Sequence, residues 1–145
     1  MFVTKLITFG FVSLSTSLNF HPIPLNRETS LYDITFDQLG TGKGVIDSLY
    51  PDLVQLYGVP YAYPPIDERR FRIPKLMDSW DAQLNFDEYK PMCMQLLFVG
   101  NAEWTPGVSE DCLYLNIFVP KQAIENPSAK YPVVVYFHGG AYFFG

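Results

Sequence analysis

Along one stretch of the chain apolar and polar positions alternate, and along another the apolar ones run together. "CLYLNIFVP" sets Leu113, Leu115, Ile117 and Val119 on one face and Tyr114, Asn116 and Phe118 on the other, the period of a half-buried strand. Pro120 ends it. "YPVVVYFHGG" is continuously apolar and largely β-branched over residues 133–137, which predicts a strand buried on both faces with a neighbour on each side. Between them "KQAIENPSAK" reads as a polar surface loop. Upstream, "ITFDQLGTGKGVID" and "PDLVQLYGVPYA" predict two strands joined by a turn, with Gly40, Gly42 and Gly44 between β-rich flanks. "AYPPIDERRFRIPK" carries Pro64, Pro65 and Pro74, which forbid a helix or a central strand and leave an ordered loop. "MDSWDAQLNFDEYKPMCMQ" reads as mixed loop with one helical turn, and the connection from Cys93 to Cys112 is long. The pattern therefore predicts an all-β piece whose last strand is central.

Composition narrows the class. The chain has 145 residues, 48% of them hydrophobic and 17% aromatic, which suits one domain with a core and excludes disorder. Its net charge is −5, and Lys and Arg form no run beyond Arg69-Arg70, which argues against nucleic acid and against anionic membrane surfaces as partners. Residues 1–18 have the form of a signal peptide. Lys5 is followed by a short apolar run, then by Ser15 and Ser17. That run is too short to span a bilayer, so no transmembrane segment is expected. Residues 19–33, punctuated by Pro22 and Pro24, read as an extended arm. Cys93 and Cys112 are the two cysteines. A secreted chain favours a disulfide and a cytosolic one two free thiols, so this question and the leader stand together. The glycine trio is a poor phosphate loop, because no Lys-Ser/Thr follows Gly44.

Four stretches in order carry a more specific signal: "YGVPYAYPPIDERRFRIPK", Trp80 leading to "PMCMQ", "SEDCLYLNIFVP", and "PVVVYFHGGAYFFG". Together, from about residue 34 to 145, they resemble the N-terminal part of the type-B carboxylesterase and cholinesterase family. The fold this implies is an α/β hydrolase, of which residues 34–145 cover the β-rich start: the early strands, the cysteine loop and the strand leading to the oxyanion loop. "HGGA" resembles the His-Gly-Gly-Gly loop of that family. Acyl transfer develops negative charge on a carbonyl oxygen, and one backbone N–H aimed there is worth about 2.7–4 kcal/mol. The resemblance makes the N–H groups of Gly140 and Ala141 those donors and His138 structural. It also implies a disulfide between Cys93 and Cys112 at the ends of the family's stapled loop, and a structural ion pair between Arg70 and Glu110 beneath it.

The departures are as informative. Ala141 replaces the third glycine, Asp67 stands where "PPxGExRF" has glycine, and Gly42 sits where a β-branched residue is usual. No Gly-x-Ser-x-Gly occurs, and the other histidine is His21, so no Ser-His-acid triad can be assembled. The expectation is an N-terminal piece of a longer protein, natural or from an incomplete gene, that is inactive alone. The resemblance implies that the parent hydrolyses a small-molecule carboxylic ester as a serine hydrolase, without metal or cofactor, and is secreted. The alternative is a non-catalytic adhesion protein of the neuroligin or glutactin kind on the same fold. Trp104 lies near the place of the cholinesterases' choline-binding tryptophan, but its spacing and neighbours differ, and it reads as a loop-packing residue.

Overall fold

The computed structural model describes residues 28–95, 107–141 and 143. The leader at 1–18, the arm up to residue 27, His21 and Trp104 lie outside the described residues. Strand β1 (Thr29–Phe36) and β2 (Gly40–Asp47) form an antiparallel hairpin in unbroken register from Thr29↔Asp47 to Phe36↔Gly40. Strand β1 thus takes in residues 29–33, the last part of the arm. The turn uses positive φ at Gln38 (70°) and Gly40 (131°). Strand β3 (Leu53–Pro60) follows antiparallel to β2, paired at Val45↔Gln55 and Ile46↔Val54. The turn between them is tied by Asp47, whose Oδ1 accepts from Leu49 N at 2.8 Å and whose carbonyl accepts from Tyr50 N at 2.8 Å.

The glycine-rich segment is therefore a hairpin, and the chain makes three strands here where two were expected. The glycines make room for side chains. A Cβ on Gly42 would lie 2.1 Å from Phe86 Cε2, and one on Gly44 would lie 2.4 Å from Leu56 Cδ2. Gly42 is the seat of the Phe86 ring, which accounts for the missing β-branched residue.

Phe86 enters on a wedge. Strands β2 and β3 pair only near one end, and β4 (Leu84–Asn85) fills the opening parallel to β2, at Gly42↔Leu84 and Lys43↔Asn85. Phe86 N then donates to Lys43 O at 2.8 Å, and Phe86 O accepts from Tyr57 N at 3.1 Å. The ring is buried with Val54, Leu56 and Val59, and Phe36, Trp80, Ile117, Val119 and Ile124 pack around them. Trp80 meets Phe36 and Phe86 edge-on, with centroids 5.1 Å and 5.4 Å away, the geometry aromatic quadrupoles favour. The segment from Trp80 to Phe86 holds a strand and a core anchor, and no helical turn forms between residues 77 and 95. Upstream, among the described residues, the one short helical element is a 3-10 turn at Asp67–Arg69, inside the proline-rich loop.

Strand β5 (Met92–Cys93) pairs in parallel with β6 (Val108–Ser109), away from the main sheet. Strand β7 (Tyr114–Pro120) completes the sheet antiparallel to β3, giving the order β1-β2-β3-β7. Ile117 and Val119 face the core as the alternation required, whereas Leu115 stays 39% exposed. The polar stretch after Pro120 is not all loop. Helix α1 (Lys121–Glu125) forms because Ile124 anchors on the core and Lys121 N donates to Asp52 O at 2.8 Å. Pro127 follows shortly after and stops it.

Residues 131–139 depart furthest from the pattern. They form no strand, and residues 133–137 are between 69% and 90% exposed. A strand exists only in a ladder, and no described segment pairs with this one. The predicted central strand is corrected to an exposed, unpaired segment.

Candidate active site

The cysteine loop and the glycine loop come together at the start of β7. Cys93 is the last residue of β5 and pairs with Ser109 in the short β5–β6 ladder, and Cys112 stands two residues before β7. Their sulfurs are bonded at 2.06 Å, with Cα atoms 5.0 Å apart. Met92 N donates to Gly107 O at 3.0 Å, so backbone pairing and the covalent bridge close the same loop. In the chain-entropy account such a closure contributes about 3 kcal/mol.

Arg70 is brought to Glu110 across 40 residues, Nε donating to the Glu110 Oε1 carboxylate oxygen. The loop carrying Arg70 is held at its base by Tyr63 N donating to Lys75 O at 2.9 Å and Met77 N to Tyr61 O at 3.1 Å. The Tyr63 ring takes Lys75 Nζ at 4.7 Å and the Arg69 guanidinium at 5.2 Å from its centroid. Lys75 also pairs with Asp78 at 2.7 Å, which lifts the lysine above its usual range and holds the carboxyl below its own. The Arg70 and Glu110 side chains are 54% and 38% exposed. The pair orients two loops from the surface, and an exposed pair of this kind contributes about 0–1 kcal/mol.

Strand β7 supplies two residues that motif reading passed over, although the alternation had put them on the outer face. Asn116 Oδ1 accepts from Gly58 N at 2.9 Å. Gly58 has φ 68° and lies in the register shift of β3 between Leu56 and Val59, where the ladder leaves that amide without a backbone partner. Tyr114 OH donates to Asp111 Oδ1 at 2.9 Å. Burial first, and then Asp111, push its phenol up to about 12.

Residues 133–137 lead into His138, whose Nδ1 lies 2.8 Å from Gly139 O in the open. The backbone then turns. Gly140 has φ 130° and Ala141 φ 53°, and Gly140 O accepts from Phe143 N at 2.8 Å. The left-handed region costs a residue with a Cβ about 1–2 kcal/mol, so alanine holds this turn under strain that glycine would not feel. Among the described residues no acceptor takes the N–H of Gly140 or of Ala141. A cleft of about 440 Å³ lies beside this turn, lined by Cys93, Cys112, Tyr114 and Asn116 on one side and by His138 and Phe143 on the other. No three of His, Cys, Asp and Glu converge to hold a metal among the described residues. None of the described helices is long and apolar enough to cross a membrane.

The profile of the Carboxylesterase family matches residues 38–145. The chain belongs to the carboxylesterase family. Its fold is the N-terminal, β-rich part of an α/β hydrolase. Among its relatives is the cAMP-regulated D2 protein of Dictyostelium discoideum, 38% identical over 113 residues, which are 77% of this chain and 20% of that protein. The para-nitrobenzyl esterase of Bacillus subtilis is 34% identical over 116 residues, 79% of this chain and 22% of the esterase. A solved PNB esterase structure superimposes with a TM-score of 0.62 at 34% identity, covering 80% of this chain and 22% of that one. This carboxylesterase-family chain thus spans about a fifth of the length of the relatives it matches.

Proposed function

We propose that this chain is the N-terminal piece of a secreted carboxylic ester hydrolase and supplies half of its oxyanion hole. The carrying observation is the turn at Gly140 and Ala141, where two successive amides follow an apolar segment and have no acceptor among the described residues. Family membership gives that turn its chemistry. A serine hydroxyl from a longer chain would attack the ester carbonyl carbon and give its proton to a histidine. The carbonyl oxygen would take the negative charge, held by the N–H groups of Gly140 and Ala141. The C–O bond to the alcohol would then break, the histidine returning the proton to the leaving oxygen, and water would release the acid from the acyl-serine. His138 turns its ring onto its own loop carbonyl, which supports a structural part for it.

The second reading is a non-catalytic protein on the same fold. What it draws on is Ala141, which stands at φ 53° in place of the third glycine of the loop. A fluorophosphonate probe separates the two. The 145-residue chain is expected to take no label and to cleave no activated acetate ester, because it has no Gly-x-Ser-x-Gly serine. A longer chain encoding the downstream residues should be labelled stoichiometrically at one such serine. A longer chain that takes no label would replace the esterase by the non-catalytic reading. Export of a reporter fused to residues 1–18, with cleavage near residue 18, tests the leader.

A further inference from the structure

The Asn116 carboxamide has two ends with different surroundings. At one end it accepts from Gly58 N at 2.9 Å. A backbone N–H can only donate, so the atom that meets it is Oδ1, and Nδ2 is the end left over. Gly58 stands in the register shift of β3 with φ 68°, and the segment leading to Cys93 lies directly over it. A Cβ there would come 2.4 Å from Lys90 Cγ and 3.0 Å from Glu88 O, and Tyr57 N beside it donates to Phe86 O at 3.1 Å. The bulge is thus the seat of residues 86–90, which run through Pro91 into β5 and the disulfide. Both partners of the Asn116–Gly58 bond belong to the sheet, and the bond needs nothing beyond β3 and β7.

Asn116 also stands on the wall of the cleft beside the Gly140–Ala141 turn, with Cys93, Cys112, Tyr114 and His138. Aspartate has the same size and shape, and a carboxylate accepts an N–H more strongly than an amide oxygen does. The bulge alone would be served at least as well by aspartate. The chain carries 15 acidic residues, yet among the described residues no carboxylate lines this cleft, and Lys90 does. Asparagine gives β3 its acceptor and adds no negative charge beside the turn.

We propose that Asn116 is a positioning residue of the ester-hydrolysing site, an inference that rests on the esterase reading above. Its Oδ1 holds the β3 bulge on which the cysteine loop is seated, and its neutral Nδ2 end keeps negative charge away from the developing oxyanion.

Two variants in two chains test this. In the 145-residue chain, Asn116→Leu removes the acceptor, and the Gly58 amide should exchange with solvent about tenfold faster, whereas Asn116→Asp should keep it protected. In a longer chain encoding the downstream residues, Asn116→Asp should lower kcat for an activated acetate ester about tenfold, because a carboxylate in the cleft opposes the charge forming on the carbonyl oxygen. KM should stay within about twofold of wild type, since the ester is neutral in the ground state. A residue that only braced the sheet would leave kcat of the Asp variant at the wild-type value, and that result overturns the proposal. So does a Gly58 amide that exchanges in Asn116→Leu as it does in wild type. The Asp variant decides the matter even where Asn116→Leu does not fold. A wild-type longer chain that takes no fluorophosphonate label sinks the esterase reading and this proposal together. Full labelling of wild type, with unaltered turnover in the Asp variant, sinks this proposal alone.

Discussion

Val54 and Val134 are the same residue, and one is completely buried while the other is 90% exposed. Val54 lies in β3 between β2 and β7, and Phe86, Leu56 and Ile117 close over it. Val134 has no strand on either side among the described residues. Side-chain chemistry is equal in the two regions, so the difference lies in the ladder. A strand is a property of a pair, and apolar area contributes only when a neighbour removes it from water. The sheet half carries its own neighbours. The glycine-loop half has none among the described residues, although it bears the turn on which the proposed chemistry depends.

Substitutions can break this contrast. Phe86→Ala strikes where the sheet half is most self-sufficient, emptying the wedge over Gly42. Burial of this kind is worth about 3–5 kcal/mol. Amides of β2 and β3 should lose their protection from hydrogen exchange, and protection equal to the wild type would show that the ring is not the keystone of this core. The paired change Cys93→Ser with Cys112→Ser tests the link between the halves. Loss of about 3 kcal/mol is expected in the chain-entropy account, read as a lower denaturation midpoint, with β1–β2 protection kept. Mass spectrometry of alkylated, non-reduced protein should find neither thiol free in the wild type.

Smaller effects sharpen the comparison. Glu110→Gln removes the charge facing Arg70 at a half-exposed site, and a loss below about 1 kcal/mol is expected, halved or more in high salt. A larger loss would move this pair from the surface class to the buried one. Val134→Lys should leave the stability of the sheet within about 0.5 kcal/mol of wild type, since the residue touches no part of it. A destabilisation beyond that would mean that residues 133–137 belong to the core after all.

Some of this could be read in the sequence. Alternation along residues 113–119 gave the direction of Ile117 and Val119, and Pro120 marked the end of β7, because a period of two and a missing N–H act within the segment itself. The ordered motifs gave the family, the disulfided loop and the place of the glycine turn, since each is a local arrangement of residue types. Other features needed partners far along the chain. Gly42 resembled a weakened strand position until Phe86, 44 residues later, was found seated on it. Ile124 was a lone apolar residue in a polar run until the core beneath it made five residues helical. Asn116 gained its part only from the bulge at Gly58 on the adjacent strand.

Residues 133–137 mark the boundary between the two kinds of knowledge. Their composition determined that they are fit for burial. Whether they are buried was decided by tertiary structure alone, because hydrogen-bond pairing and removal from water both require a second surface, and that surface is set by what stands beside the segment in space.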